Sequence, residues 1–333
     1  MDALTAELFA ALQAPAPVPA AIQARLGAGA DRALARLVMD GVLEIDLGAR
    51  FDCGADAHGV LFEAPAPDHD TINGTTATAR LSLDALRHAA ATPADSVDVL
   101  ASRLYFYNRR PATPAWLQRL PTVAATEQFL GLAPASAARE RLERPWKSAG
   151  AAQSGDDWQQ WVPRVRTERE PGEPAGTYKV FVSPDERAAP DALHIVIDVL
   201  AALGAPPFKY GCGAYSLLRP DKIVTYFRSA EAKNEAARLL LSALAGVPAH
   251  GVPFSAEVGG DGLVSWGIDP PSKVLPLEWQ DRDSWRTFVC GRLARSLFIA
   301  RHARAATVSA VTFALDRLAL EGVDVATWTP MEM

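Results

Sequence analysis

The chain has 333 residues, of which 49% are hydrophobic and 22% are charged, and its formal net charge is −6. This composition is typical of a globular protein, and the length predicts two domains or one domain with a substantial extension. Charges of both signs are dispersed along the sequence, which disfavours a non-specific nucleic-acid binder, since such a protein needs a basic stripe. Any phosphate site must therefore be local. Three widely spaced cysteines favour a reducing compartment over a disulfide framework.

The first residues lack the features of a signal peptide. Acidic residues stand where a signal peptide would carry lysine or arginine, and Gln13 and Pro15 interrupt the apolar run. No uninterrupted apolar stretch reaches the length of a membrane span. We therefore expect a cytoplasmic protein without membrane contacts, and export through a bacterial effector route stays open.

The first half of the sequence is predicted to be mostly helical. Helices are expected over residues 1–13, over 20–42 and, as a pair, within 79–106, because apolar residues recur there at helical spacing. Between them, strand-like runs at 41–47, 50–53 and 60–62 suggest a helix-plus-hairpin unit, for which a winged helix is one interpretation. That unit has no basic recognition face, so DNA binding is disfavoured. We assign residues 1–150 to a mostly helical N-terminal domain.

The second half alternates strands and helices. Strands are predicted at 177–182, 222–227 and 263–267, and helices at 188–203, 231–245 and, as one long or kinked region, 283–320. Strands mixed with helices of this length predict an α+β fold in which helices pack on a mixed sheet. We assign residues 151–333 to this second domain.

The candidate site lies in the second domain, where basic residues interrupt apolar runs. Lys209, Arg219 and Lys222 must lie at strand ends or on a face open to a ligand, which suggests an anion site. Arginine presents a planar fork that matches phosphate oxygens. Kinase-type transfer would also need carboxylates for magnesium and a nucleotide loop, so removal of phosphate fits better. A surface cation, or a salt bridge between Arg219 and Asp221, explains the same spacing equally well.

β-Elimination of phosphate needs a base, hydrogen-bond donors and an acid, and no cofactor. Lysine acts as a base only when it is neutral, and burial or nearby cations favour that state. Lys209, flanked by Phe208 and Tyr210, is the candidate base. The sequence has no dinucleotide or phosphate-loop motif and no histidine spacing typical of metal sites, so we expect neither cofactor nor metal.

A further aromatic and basic run, at residues 104–111, ends a predicted helix. Its aromatic residues and two arginines suggest the rim of a pocket. The favoured alternative is a helix end at which the arginines complement the helix dipole.

Several motifs together resemble the HopA family of bacterial type III effectors. They are LYFYNRRP at 104–111, YKVFVS at 178–183, PFKYG at 207–211, LRPDKIVTYF at 218–227 and GVPFS at 251–255. The family includes HopA-like lyases of class V lanthipeptide and thioamitide biosynthesis. The resemblance implies elimination of phosphate from phosphoserine or phosphothreonine of a precursor peptide, giving dehydroalanine or dehydrobutyrine. It also implies a separate kinase as partner, and neither nucleic acid nor membrane.

The same region is more distantly similar to phosphothreonine lyases, which use a lysine base, a histidine acid and phosphate-binding arginines. By position, this similarity makes Lys209 the base and Arg219 a phosphate ligand, and it places Lys179 near the position of the acid. The histidine is missing, and so is an arginine in the closing strand at 265–269. Either Lys179 is the acid, or groups from elsewhere such as Arg292 bind phosphate, or the chain is a non-catalytic effector or phosphopeptide-binding protein.

Overall fold

A computed structural model describes residues 30–61, 76–151, 158–165, 178–269 and 284–331. The helices are α1 Ala30–Met39, α2 His58–Leu61, α3 Ala77–Ala91, α4 Val97–Tyr105, α5 Pro114–Arg119, α6 Val123–Phe129, α7 Ala137–Glu143, α8 Ala189–Ala202, α9 Ala214–Leu217, α10 Ala230–Ala243, α11 Trp285–Arg301 and α12 Ala310–Leu320. The strands are β1 Ile45–Asp46, β2 Phe51–Asp52, β3 Trp146–Ala151, β4 Trp158–Pro163, β5 Tyr178–Val182, β6 Phe208–Gly211, β7 Ile223–Phe227, β8 Ala256–Val258, β9 Val264–Ile268, β10 Val323–Asp324 and β11 Thr329–Pro330. The helix predicted over 1–13 lies outside the described residues.

The described chain groups into two compact units. The first comprises the described residues within Met1–Asn73, Leu86–Tyr105 and Pro270–Met333, and the second comprises those within Gly74–Ala85 and Phe106–Asp269. Residues on both sides of position 150 belong to the second unit, because β3 pairs there with β4. The division into domains 1–150 and 151–333 stays a prediction.

The second unit is built on a seven-stranded sheet with the order β3-β4-β6-β7-β5-β9-β8. The α+β class is confirmed, but each described pairing in this sheet is antiparallel, whereas a mixed sheet was expected. Helix α8 joins β5 to β6, and α10 leads from β7 toward β9, so each crossover links strands of the same direction. An antiparallel strand lies inside each crossover: β7 separates β5 from β6, and β5 separates β7 from β9.

One face of this sheet carries the main hydrophobic core. Strand residues that face this side pack against helices α8 and α10. The residues of this core, all at most 1% exposed, include Val180, Val182, Phe208 and Tyr210 from the strands and Val196, Ile197 and Leu240 from the helices. Complete burial of one such aliphatic or aromatic side chain contributes about 1.5–3 kcal/mol. This first face therefore supplies most of the apolar burial in the sheet, which leaves the opposite face available for polar groups.

The first unit consists mainly of helices. Helix α11 packs along α4 and α12, and Met39, Ala55 and Phe313 form a small buried cluster. The predicted hairpin is present as β1 and β2, but it is short. The strand expected at Val60 is wrong, because Gly54 has φ +56° and turns the chain into a 3₁₀ helix that continues into α2. The winged-helix interpretation stays a prediction.

None of the helices in the described residues combines the length and the apolar character needed to cross a bilayer.

Candidate functional site

The second face of the large sheet carries the residues of the candidate site. Because side chains alternate along a strand, Lys209 of β6 points away from its buried neighbours Phe208 and Tyr210. In the sheet register Lys209 lies opposite Val224 of β7, which in turn lies opposite Phe181 of β5. Val224 and Phe181 form a small cluster with Trp158 of β4 and Val252, separate from the main core. This face is therefore apolar at its centre and carries a cation beside it.

Lys209 and Arg219 both lie over the indole of Trp158. The Nζ atom of Lys209 is 4.3 Å from the ring centroid, and the guanidinium carbon of Arg219 is 5.3 Å from it. Both distances are within the range of cation–π attraction, which is worth about 0.5–2 kcal/mol per contact. The structure thus brings together the two residues that the sequence singled out as base and phosphate ligand.

Arg219 is held in one orientation by several contacts. Its side chain is buried, and its Nε and Nη2 atoms donate to the two carboxylate oxygens of Asp221 at 2.9 and 3.0 Å. The guanidinium also lies 5.2 Å from the ring centroid of Phe106. The salt bridge that the sequence offered as an alternative is therefore present. It fixes the guanidinium plane next to Trp158, so the pairing and a role at the site are compatible.

Lys179 lies on the same sheet face as Lys209, two strands away. Its Nζ atom donates to Oδ1 of Asp269 at 2.6 Å and lies 5.9 Å from the ring centroid of Tyr226. Strand spacing and rise put the Cα atoms of the two lysines roughly 12 Å apart. This separation leaves room for a peptide residue between the two side chains.

Lys222 is completely buried, unlike the other predicted site residues. Its Nζ atom donates to the carbonyl oxygen of Pro184 at 2.6 Å and lies 2.8 Å from Nδ1 of His250. Burial lowers the pKa of Lys222 to about 7, against the opposing effect of the carboxylates of Glu186 and Asp185. The amine is therefore enclosed by protein groups, and its predicted role as a phosphate ligand stays a prediction.

His250 is the residue that sequence reasoning missed. Burial, and then the charge of Lys222, lowers the pKa of His250 to about 3, so its imidazole is neutral near neutral pH. Its Nδ1 atom accepts from Lys222, so Nε2 carries the proton and donates to the carbonyl oxygen of Asn108 at 2.5 Å. No sequence motif joins His250 to Lys222, and only the fold brings them into contact.

Arg292, the remaining predicted phosphate ligand, belongs to the first compact unit. It lies on α11, where its Nε atom is 2.9 Å from Oε2 of Glu321 and its guanidinium lies over the ring of Phe288. The structure does not group it with the residues on the sheet of the second unit. Its role in binding phosphate stays a prediction.

Comparisons with known proteins do not assign the chain to a family. No family model matches the sequence, and no curated protein matches it. A solved effector protein from Pseudomonas syringae pv. tomato strain DC3000 has 12% sequence identity and a TM-score of 0.47, over 78% of this chain and 99% of that chain. An effector protein from Pseudomonas syringae pv. syringae strain 61 has 12% identity and a TM-score of 0.40, over 77% and 99% of the two chains.

Proposed function

We propose that this protein is a lyase that eliminates phosphate from phosphoserine or phosphothreonine in a peptide. The observation that carries the proposal is the placement of Lys209 and Arg219 over one indole, that of Trp158, on the second face of the sheet. An amine and a guanidinium on one apolar surface provide a proton acceptor and a cationic phosphate ligand close together.

The proposed reaction is a β-elimination. The neutral amine of Lys209 takes the α-proton, and the electron pair of the Cα–H bond forms the Cα=Cβ double bond. The Cβ–O bond breaks, and its electron pair leaves with the phosphate. The bridging oxygen takes a proton from an acid, so the products are a dehydroamino acid and inorganic phosphate. No oxidant, reductant or nucleotide enters this balance.

Three further residues have roles in this proposal. Arg219, oriented by Asp221, donates to phosphate oxygens from in-plane N–H groups of its guanidinium, as charge-assisted hydrogen bonds. Lys179, on the same sheet face, is the candidate acid. His250 is not proposed as the acid, because it is neutral near neutral pH and both of its ring nitrogens have protein partners.

The substrate in this proposal is a precursor peptide of ribosomal natural-product biosynthesis, phosphorylated by a separate kinase. This assignment is supported by the sequence motifs at 178–183, 207–211 and 218–227, which resemble the HopA family, a family that includes HopA-like lyases. A non-catalytic effector or phosphopeptide-binding protein is the alternative, and one experiment separates the two.

The test is incubation of the purified protein with synthetic phosphothreonine and phosphoserine peptides, followed by mass spectrometry and a phosphate assay. A lyase gives a product lighter by one water than the unphosphorylated peptide, with an equal amount of phosphate released. A product of the same mass as the unphosphorylated peptide would indicate a phosphatase. An unchanged peptide that nevertheless binds would support the binding protein and overturn the lyase.

A further inference from the structure

Aromatic rings and cations alternate in a row that begins at the proposed site and ends in exposed residues. From Lys209 the row continues through Trp158 and Arg219 to Phe106, whose ring centroid is also 5.7 Å from the guanidinium carbon of Arg109. That carbon lies 5.3 Å from the ring centroid of Tyr215. We call Phe106, Arg109 and Tyr215 the outer end of the row.

The outer end is exposed, and its cation has no carboxylate partner among the residues that the structure describes. Phe106 and Tyr215 are 41% and 55% exposed. Arg109 donates from Nη2 to the carbonyl oxygen of Tyr215 at 3.1 Å, and within the described chain no carboxylate pairs with it. Arg110 differs, because it faces both Asp185 and Glu186. Two exposed aromatic rings around an arginine that lacks an anion are typical of a recognition surface.

The outer end is held in place before any ligand binds. The amide of Arg110 donates to the carbonyl oxygen of Leu218 at 2.9 Å, which fastens the segment to the end of α9. The side chain of Asn108, which has φ +64°, donates to the carbonyl oxygens of His250 and Gly251 at 2.8 and 3.0 Å. Binding to a fixed segment costs less conformational entropy than binding to a mobile one.

We infer that the outer end binds an anionic side chain of the substrate peptide, close to the phosphorylated residue. The inference rests on the proposed function, which places the phosphate at Arg219. Both Arg109 and Arg219 contact the ring of Phe106, so the two anions are near each other. An extended peptide advances about 3.3 Å per residue, which puts the second anion within about three residues of the first. A carboxylate or a second phosphate has the required charge.

The test uses three fluorescent peptides with one phosphothreonine and a varied residue two positions away: glutamine, glutamate or phosphoserine. Fluorescence anisotropy measures affinity for the full-length wild type, for Arg109→Gln and for Arg238→Gln. Arg238 is an exposed arginine of the same unit that pairs with Glu235, so it is the matched control. We expect the wild type to bind the glutamate peptide about 10-fold more tightly than the glutamine peptide, as one charge-assisted contact provides.

Arg109→Gln should reduce this 10-fold ratio to near 1, while Arg238→Gln keeps it. Each affinity is expressed relative to that of the glutamine peptide. If this ratio is larger for the phosphoserine peptide than for the glutamate peptide, a second phosphate is the preferred anion, and if it is smaller, a carboxylate is. Both outcomes support the inference. A ratio near 1 in the wild type, or a ratio that persists in Arg109→Gln, would overturn it.

Failure of the inference is distinguishable from failure of the proposed function. Every peptide is also compared with its counterpart that carries threonine in place of phosphothreonine, and each mixture is analysed by mass spectrometry. If the proposed function fails, no peptide is dehydrated or the phosphothreonine adds nothing to affinity. If only the inference fails, dehydration proceeds without regard to the varied residue.

Discussion

Lys209 lies on β6 and Lys222 directly precedes the neighbouring strand β7, yet their environments are opposite. Lys209 is half-buried over an indole on the apolar second face, and Arg219 shares that ring. Lys222 is completely enclosed, and its amine is bound to a carbonyl oxygen and an imidazole. The sequence presents both as basic residues next to apolar strands. The difference shows that burial, rather than residue type, separates a lysine that can meet a ligand from one that joins backbone segments.

The largest expected effect concerns Lys209. Lys209→Arg keeps the charge and the contact with Trp158, but arginine does not release its proton in a protein, so elimination should fall by about 100-fold or more. The measurement is the rate of dehydrated-peptide formation under saturating phosphopeptide. Lys147→Arg, on an exposed residue of β3, is the control and should retain activity. A folded Lys209→Arg protein with near wild-type turnover would make Lys179 the next candidate base.

The second prediction concerns the buried contact between Lys222 and His250 and is tested through the pH dependence of stability. Lys222 has a folded pKa of about 7 against an ordinary value of 10.5, so between these values the unfolded chain binds more protons. The free energy of unfolding should therefore rise with pH through this window, with a contribution near 1.4 kcal/mol per pH unit. Below pH 7 both states hold the proton and the contribution is constant.

His250 gives the same sign at lower pH. Its folded pKa of about 3 lies below the ordinary value of 6.5, so stability is lost as the pH falls between these values. The measurement is urea unfolding of the wild type and of Lys222→Met from about pH 7.5 to 9.5. In this range the difference between the two proteins reports the titration of Lys222, because the buried phenol of Tyr210 has a raised pKa and stays protonated. Equal slopes for the two proteins would show that the Lys222 amine is not desolvated.

The third prediction concerns the fork of Arg219. Arg219→Lys retains a positive charge but loses the planar guanidinium that Asp221 orients, so affinity for a phosphopeptide should fall about 10-fold, while affinity for the unphosphorylated peptide should not change. Isothermal titration with matched peptides measures both. Arg238→Lys is the control. If the wild type bound both peptides equally, Arg219 would have no role in phosphate recognition.

The last prediction is that neither removing divalent metal ions nor omitting nucleotide changes the turnover. Elimination by amine and guanidinium groups needs no metal, so turnover of a phosphopeptide should survive EDTA and should not require added nucleotide. Loss of turnover on chelation, restored by one divalent ion, would contradict the proposed mechanism.

The sequence predicted the fold class and five elements of the second unit, because apolar periodicity determines which residues a strand or helix buries. The strands at β5, β7 and β9 and the helices α8 and α10 agree with the predicted ranges within one or two residues. The sequence did not predict that the strands of the sheet are antiparallel. The direction of neighbouring strands depends on which strand is inserted between the two strands that a crossover connects. At the site, the sequence predicted for Lys209 either a strand end or a face open to a ligand, and the structure places it within β6 on the second face of the sheet. The contact of Lys222 with His250 was not predictable, because no local pattern links residues from separate loops.

The interleaved crossovers affect how the chain is made. As the nascent polypeptide emerges, β5 and β6 are synthesised before β7, the strand that lies between them and pairs with both. Until about residue 227 leaves the ribosome, β7 is missing from the middle of the sheet. The edges of β5 and β6 that later pair with β7 therefore have unpaired backbone groups. Sheets closed by such distant pairings fold slowly and expose strand edges to other chains. Truncations that end before β7 should therefore aggregate, whereas those that end after β9 should contain the whole sheet.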